Sequence, residues 1–173
     1  VHHVVINTYP ASEVARRTGM RSTIVPNVMD FDRDPPPADD YAAGLRDDFG
    51  VAPEEKLLLQ PTRVVPRKRI ERAIELARAI QMPCTLLVSH ATSDEGSEYR
   101  DYLADYARIM GVRLVLAEGR FNHHRGTNDD GRPIYALADA YSEADLVTYP
   151  SRVEGFGNAF LEAIYHRRPL MMS

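Results

Sequence analysis

From Tyr41 onward the chain alternates short, continuously apolar runs with longer segments whose apolar residues recur every three or four positions. The runs are LLLQ, CTLLV, VRLVLA, DLVTYP and PLMM, lengths typical of buried strands. Between them, Tyr41, Leu45 and Phe49 share one helical face before Gly50. Ile70, Ala73, Ile74 and Ala77 follow the i, i+3, i+4, i+7 spacing of a half-buried helix, with Glu71, Arg72, Glu75 and Arg78 on its wet side. Tyr99, Tyr102, Leu103, Tyr106, Ala107 and Met110 repeat that period, which places the tyrosines in the core. Ile134, Leu137, Ala138 and Tyr141 give a further helix, and another opens near Gly157. Strands that are apolar on both sides must be covered on both faces, so the pattern predicts an α/β fold, a Rossmann-like parallel sheet with helices on both faces. Ligands of such sheets bind at the carboxyl ends of the strands, and the loops that leave those ends should carry the chemistry.

Ahead of Tyr41 the pattern is different. HHVVINT reads as a strand, YPASEVARRTG as a short helix capped by Ser12 and ended by Gly19, and STIVPNV as a second extended piece. DFDRDPPPADD then joins three consecutive prolines to five aspartates, a composition that suits a solvated linker. The expected division is residues 1–30 as the tail of a neighbouring unit and 31–173 as the main domain. With no initial methionine and no closing element after PLMMS, the sequence reads as a fragment, incomplete at its C-terminus.

A formal charge of −4 argues against a broad basic surface, so no nucleic-acid partner is expected. The lone Cys84, in CTLLV, leaves no material for a disulfide or a Cys-based metal site. No apolar segment approaches the ~18 residues of a membrane span and the N-terminus lacks a signal pattern, which points to a cytoplasmic protein.

Two loops stand out. PSRVEGFGNAFLEA leaves the DLVTYP strand with Glu154 in the loop, the Gly155-Phe156-Gly157 turn, and Asn158 and Glu162 on the helix that follows. The first turn of that helix offers unpaired N–H groups and partial positive charge, glycines let a ligand approach the backbone, and two carboxylates can accept from hydroxyls. The plainer alternative is that both glutamates complement the helix dipole, worth about 0.3 to 1 kcal/mol each. QPTRVVPRKRIER leaves the LLLQ strand with Arg63, Arg67, Lys68 and Arg69 close together. A solvated basic loop is the plainer reading there. Cations at the start of a helix are unfavourable, however, and a bound anion would offset that cost.

Together these stretches resemble the retaining glycosyltransferases of the GT-B fold, family four (glycosyltransferase group 1). PTRVVPRKRIERAIELA looks like the family's Arg-plus-Lys loop, EGFGNAFLEA like its motif of two glutamates with seven residues between them, and VPNVMDFD like the segment that leads from the acceptor-side domain into the donor domain. The resemblance implies a truncated C-terminal, donor-binding domain. Its partners would be a nucleoside diphosphate sugar, an unidentified acceptor and the missing N-terminal domain of the same protein, with no metal required. It implies that Arg63 and Lys68 bind the donor diphosphate, that Glu154 contacts the transferred sugar with help from the N–H groups of Gly155, Phe156, Gly157 and Asn158, and that Glu162 holds the ribose. VLAEGRF resembles the place where the base sits, which makes Gly119, Arg120 and Phe121 candidates. The sequence departs from the family at Thr62 and Arg69, where glycines usually stand, and so puts the shape of that loop in question.

An epimerase or phosphorylase of the same fold, or a non-catalytic nucleotide-binding module, would need similar loops. A dinucleotide oxidoreductase would need a glycine-rich first turn, and QPTRVV has no glycine. His123, His124, Asp129 and Asp130 in FNHHRGTNDDGRP read as solvated loop residues rather than metal ligands, and His166 as a cation at a helix end. His90, directly after CTLLV and one residue, lies on the functional edge.

Overall fold

The computed structural model describes residues 2–90 and 97–173. β1 (His3–Val5), α1 (Thr8–Thr18) and β2 (Ser22–Ile24) form a small unit of two parallel strands and a helix. Asn7, not Ser12, caps α1, its side chain accepting from Tyr9 N–H at 2.9 Å. Ser12 lies one turn inside and donates to the Thr8 carbonyl, while Gly19 ends the helix at a φ of 70°. The proline-rich linker runs without regular structure to Asp39, whose carboxylate caps α2 (Asp40–Asp48) by accepting from Ala42 N–H.

The main unit continues with β3 (Lys56–Gln60), α3 (Ile70–Ala79), β4 (Cys84–Val88), α4 (Ser97–Met110) and β5 (Arg113–Leu116). An excursion follows, containing the short strands β6 (Phe121–Asn122), β7 (Gly126–Thr127) and β8 (Pro133–Ala136), before α5 (Leu137–Glu143), β9 (Leu146–Tyr149), α6 (Asn158–Tyr165) and β10 (Leu170–Met172). Five strands form one parallel sheet in the order β10-β9-β3-β4-β5. Successive side chains of a strand point to opposite faces, so β3 feeds two cores. Leu57 and Leu59 pack with Leu87, Val147, Leu45 of α2, Tyr141 of α5 and Ala163 of α6. Leu58 packs with Leu86, Val88, Ile70 and Ile74 of α3 and Leu103 of α4. Each fully buried leucine contributes about 1.5–3 kcal/mol, and the two-sided burial fixes the parallel topology expected from the sequence.

Two expectations change. Ile134 belongs to β8 rather than to the helix, because β8 pairs with β6 and β7 and the Asp139 carboxylate, accepting from Ala136 N–H at 2.8 Å, starts α5 only at Leu137. Of the α4 tyrosines, Tyr99 and Tyr106 pack partly buried against the core and Tyr102 leaves it. Leu103 and Ala107 occupy its buried line, whereas Tyr99, Tyr102 and Tyr106 stack into a ladder beside it with Tyr102 half exposed. The hydroxyls of Tyr99 and Tyr106 donate to Glu71 and Glu75 of α3. Among the described residues no helix is long and apolar enough to cross a membrane.

Candidate functional site

β3 and β9 are neighbours, registered Leu58 to Leu146 and Leu59 to Val147, so the loops leaving their carboxyl ends rise side by side. The main chain stitches them together, Arg152 N–H donating to the Arg67 carbonyl at 2.9 Å. Lys68, at the end of a 3-10 turn (Pro66–Lys68), donates from Nζ to the Glu154 carboxylate, and Arg67 stands 3.9 Å from the other Glu154 oxygen. Arg63, Lys68, Glu154, Phe156, Gly157 and Asn158 line one cleft of about 430 Å³, with Glu162 on its wall. Gly155 is not among the lining residues, and its carbonyl accepts from Asn7.

Lys68 is only 8 % exposed, and Nζ lies 5.7 Å from the centre of the Tyr149 ring. Such a cation is tolerated because Glu154 pairs with it. Burial pushes the Glu154 carboxyl up, but the hydrogen bond and charge of Lys68 outweigh it and hold Glu154 below the usual carboxylate range. Arg63 differs. It is exposed, and among the described residues it makes no ion pair. Arg69 is the N-cap of α3, so one of these cations does stand at a helix start, where the Ile70 N–H is met by the Tyr99 hydroxyl at 3.0 Å.

The two departures from glycine are resolved differently. Thr62 is buried, its Oγ1 accepting from Gln60 Nε2 at 2.9 Å while Gln60 Oε1 accepts from Thr148 at 2.6 Å, a polar chain that ties the loop base to β9. Arg69 adopts φ 52° and ψ 47°, the left-handed conformation a glycine would take freely. The loop keeps its glycine-like bend at a strain of about 1 kcal/mol.

On the other loop, Gly157 has a φ of 96° and caps α6 without a side-chain acceptor, leaving the first-turn N–H groups uncapped by any side chain. Glu162 Oε2 accepts from the Tyr141 hydroxyl at 2.9 Å. Burial, and then Glu162 itself, push the Tyr141 phenol up, so it stays a donor and fixes the carboxylate. Tyr141 stacks on His166 at 5.0 Å, and burial followed by Arg168 lowers the His166 pKa. His166 is thus a neutral packing partner rather than the cation expected at the helix end.

A second cleft, of about 540 Å³, shares His90, Leu137 and Glu162 with the first and adds Phe121, Asn122 and His123. Phe121 is the candidate for the base that reaches this wall, its ring stacked on Phe49 at 5.9 Å. Gly119 makes the turn after β5 with φ 70°. Arg120 is taken away from both clefts: Nε donates to the Pro133 carbonyl at 2.8 Å, Nη2 to Asp48, and the guanidinium lies 5.0 Å over Phe49. Its donors serve the fold. Partial desolvation, then the charges of Arg63 and Lys68, lower the pKa of His90, whose Nδ1 lies 2.7 Å from Ser89 Oγ. The rest of that loop, 91–96, lies outside the described residues. Among the described residues no three His, Cys, Asp or Glu side chains are grouped to hold a metal ion. Asn7, Asn27 and Tyr141 were not singled out by sequence. Asn7, in INTYPASEVARR, and Asn27, in VPNV, both lie in stretches that resemble the family, but the resemblance gave neither a role.

No family model matches the chain. By sequence and by fold it is nevertheless similar to glycosyltransferases. In sequence it is 33% identical, over 99% of its length, to the mannosylglucosylglycerate synthases of Petrotoga mobilis and Thermotoga maritima, of which it covers 44% and 42%. It thus spans less than half the length of these curated relatives. Among solved structures, the glycosyltransferase WaaG superposes with a TM-score of 0.70 at 21% identity, over 98% of this chain and 43% of that one. A glycosyltransferase from Rickettsia africae gives 0.76 at 11% identity over 99% and 44%. Anabaena HepE, solved in complex with UDP-glucose, gives 0.70 at 17% identity, again over 99% and 44%.

Proposed function

We propose that the chain is the donor-binding domain of a glycosyltransferase that moves a sugar from a nucleoside diphosphate sugar to an acceptor, with residues 31–173 holding the donor and 1–30 belonging to the neighbouring half. The observation that carries this reading is the meeting of Lys68 and Glu154 beside the uncapped start of α6. The bond to be broken joins the sugar's anomeric carbon to a phosphate oxygen, and the charge to be stabilised appears on the departing diphosphate. Arg63 and Lys68 supply fixed cations there and the α6 N–H groups supply fixed donors, the arrangement that stabilises developing oxyanions. Glu154 holds the sugar, and Glu162, oriented by Tyr141, holds the ribose. The second cleft gives room for the base beside Phe121. Named relatives that make a mannosyl-containing product, and a structural neighbour bound to UDP-glucose, support the substrate class. Since side chains neutralise the diphosphate in this reading, binding should persist in a chelator.

The test is calorimetric titration of the purified chain with UDP, GDP and ADP and their glucose and mannose conjugates, with and without EDTA. One nucleoside diphosphate series is expected to bind, unaffected by EDTA, and no sugar transfer is expected from this chain alone. Failure of all of them to bind at millimolar concentration overturns the assignment. Vigorous transfer would refute the need for a second half.

A further inference from the structure

The segment ahead of the large sheet touches α6 at both ends and at the turns that flank it. Asn7 Nδ2 donates to the Gly155 carbonyl, Asn27 Nδ2 donates to Asn158 Oδ1 at 2.6 Å, and beyond them Tyr165 donates to the Asp34 carbonyl at 3.1 Å while Arg167 pairs with the Asp34 carboxylate. The first two contacts join residues 148 and 131 positions apart and fall on the turn that faces the cleft. Ile6 and Asn27 themselves form part of the cleft wall.

Each contact has a consequence for an anion. The turn has glycine on both sides of Phe156, so its own side chains restrain the backbone little. The Asn7 amide holds the Gly155 carbonyl, which fixes that peptide's orientation. Asn158 is the first residue of α6, and an asparagine amide is an acceptor at one end and a double donor at the other. With its oxygen engaged by Asn27, the amide is left with its NH₂ group to offer beside the uncapped N–H groups.

We propose that Asn7 and Asn27 are positioning residues of the donor site, which fix the glycine turn and set the Asn158 amide donor-first toward a bound diphosphate. The N-terminus of α6 then binds well only while the preceding segment is docked on it. This rests on the reading of the cleft as a nucleoside diphosphate site.

Two isosteric substitutions test it in the full chain. Asn27→Asp removes the donor and supplies an acceptor, so Asn158 must turn its NH₂ toward residue 27 and its oxygen toward the cleft. Asn7→Asp keeps the cap on α1, because a carboxylate still accepts from Tyr9 N–H, but cannot donate to Gly155. Affinity for whichever of UDP, GDP or ADP binds the wild-type chain should fall about tenfold in each, the measure of one hydrogen bond to a charged group. Thermal unfolding without ligand should shift by no more than the loss of one exposed hydrogen bond. In an Asn158→Ala background the Asn27 effect should shrink to the direct repulsion of its new charge while the Asn7 effect persists, a pattern a merely structural role would not give. If Lys68→Ala weakens binding roughly 10²-fold while both Asp variants bind like the wild type, the positioning role is refuted and the donor-site reading stands. An Asn27 effect of full size in the Asn158→Ala background refutes the proposed route. No binding by the wild-type chain overturns both readings.

Discussion

Arg63 and Arg120 occupy similar places, just past the carboxyl ends of β3 and β5, and their fates are opposite. Arg63 is exposed on the cleft and makes no ion pair among the described residues, whereas Arg120 is 8 % exposed and has donors committed to Asp48 and the Pro133 carbonyl. The difference lies in what surrounds each one. Around Arg120 the chain folds back through β6 to β8 and brings a carboxylate, a carbonyl and an aromatic ring against the guanidinium. Arg63 shares its cleft with Lys68, His90 and Glu154, and Glu154 is already paired with Lys68. A cation whose acceptors are internal stabilises the fold, and one left without an internal acceptor is suited to an incoming anion. Lys68 stands between the two cases: Glu154 holds it in place, but the pair is open to the cleft.

The strongest way to break this contrast is Lys68→Ala. It removes the buried cation and uncovers Glu154, so a diphosphate should lose about 3 kcal/mol of binding, or roughly 10²-fold in affinity, while the chain still melts cooperatively. Equal affinity in wild type and variant, measured by calorimetry, would place the anion elsewhere. Arg120→Ala should give the reverse. Loss of one partner of a buried pair costs about 3–5 kcal/mol; because Asp48 is 24% exposed, about 2 kcal/mol of lost stability is expected here. Denaturant unfolding reads that loss, and ligand affinity of the folded variant should not move. A variant of unchanged stability with weakened binding would return Arg120 to the site.

The strand runs and the two loops were legible in the sequence because both are local signals. A buried strand must be apolar throughout, and in a parallel sheet every strand delivers its loop to the same edge, so Arg63, Lys68, Glu154 and Glu162 could be placed together before their contacts were known. What escaped was set by partners distant in sequence. Ile134 fits a helical period, yet Gly126 of β7 pairs with it and β6 pairs with the two residues after it. Arg120 looked available because Asp48 lies 72 positions away. Ser12 made as good a cap by type as Asn7, and only the backbone decides between them. That the tail docks on the glycine turn has no local signature at all.

The smallest expected effect concerns a third arginine. Arg125 has internal acceptors like Arg120 but is exposed like Arg63, pairing with Asp39 and Asp139 and lying 4.8 Å over the Tyr41 ring. The Arg125 hydrogen bonds first, and then Ala42 N–H, hold the Asp39 carboxyl down at about 2, against an ordinary value of 3.8. A carboxyl lowered on folding contributes stability that is complete above its ordinary value and is lost as the pH falls through its folded value. The window here therefore runs from about pH 4 down to about pH 2. Asn can still cap a helix, so Asp39→Asn removes the charge and keeps the acceptor for Ala42. The stability difference between wild type and Asp39→Asn should be small and flat from neutral pH to about 5, shrink across that window, and fall further when salt is added. A difference that survives at pH 2 would show that cap geometry, not the ion pair, is the source. Internal pairing would then stabilise this fold only where, as at Arg120, water is kept away from the guanidinium.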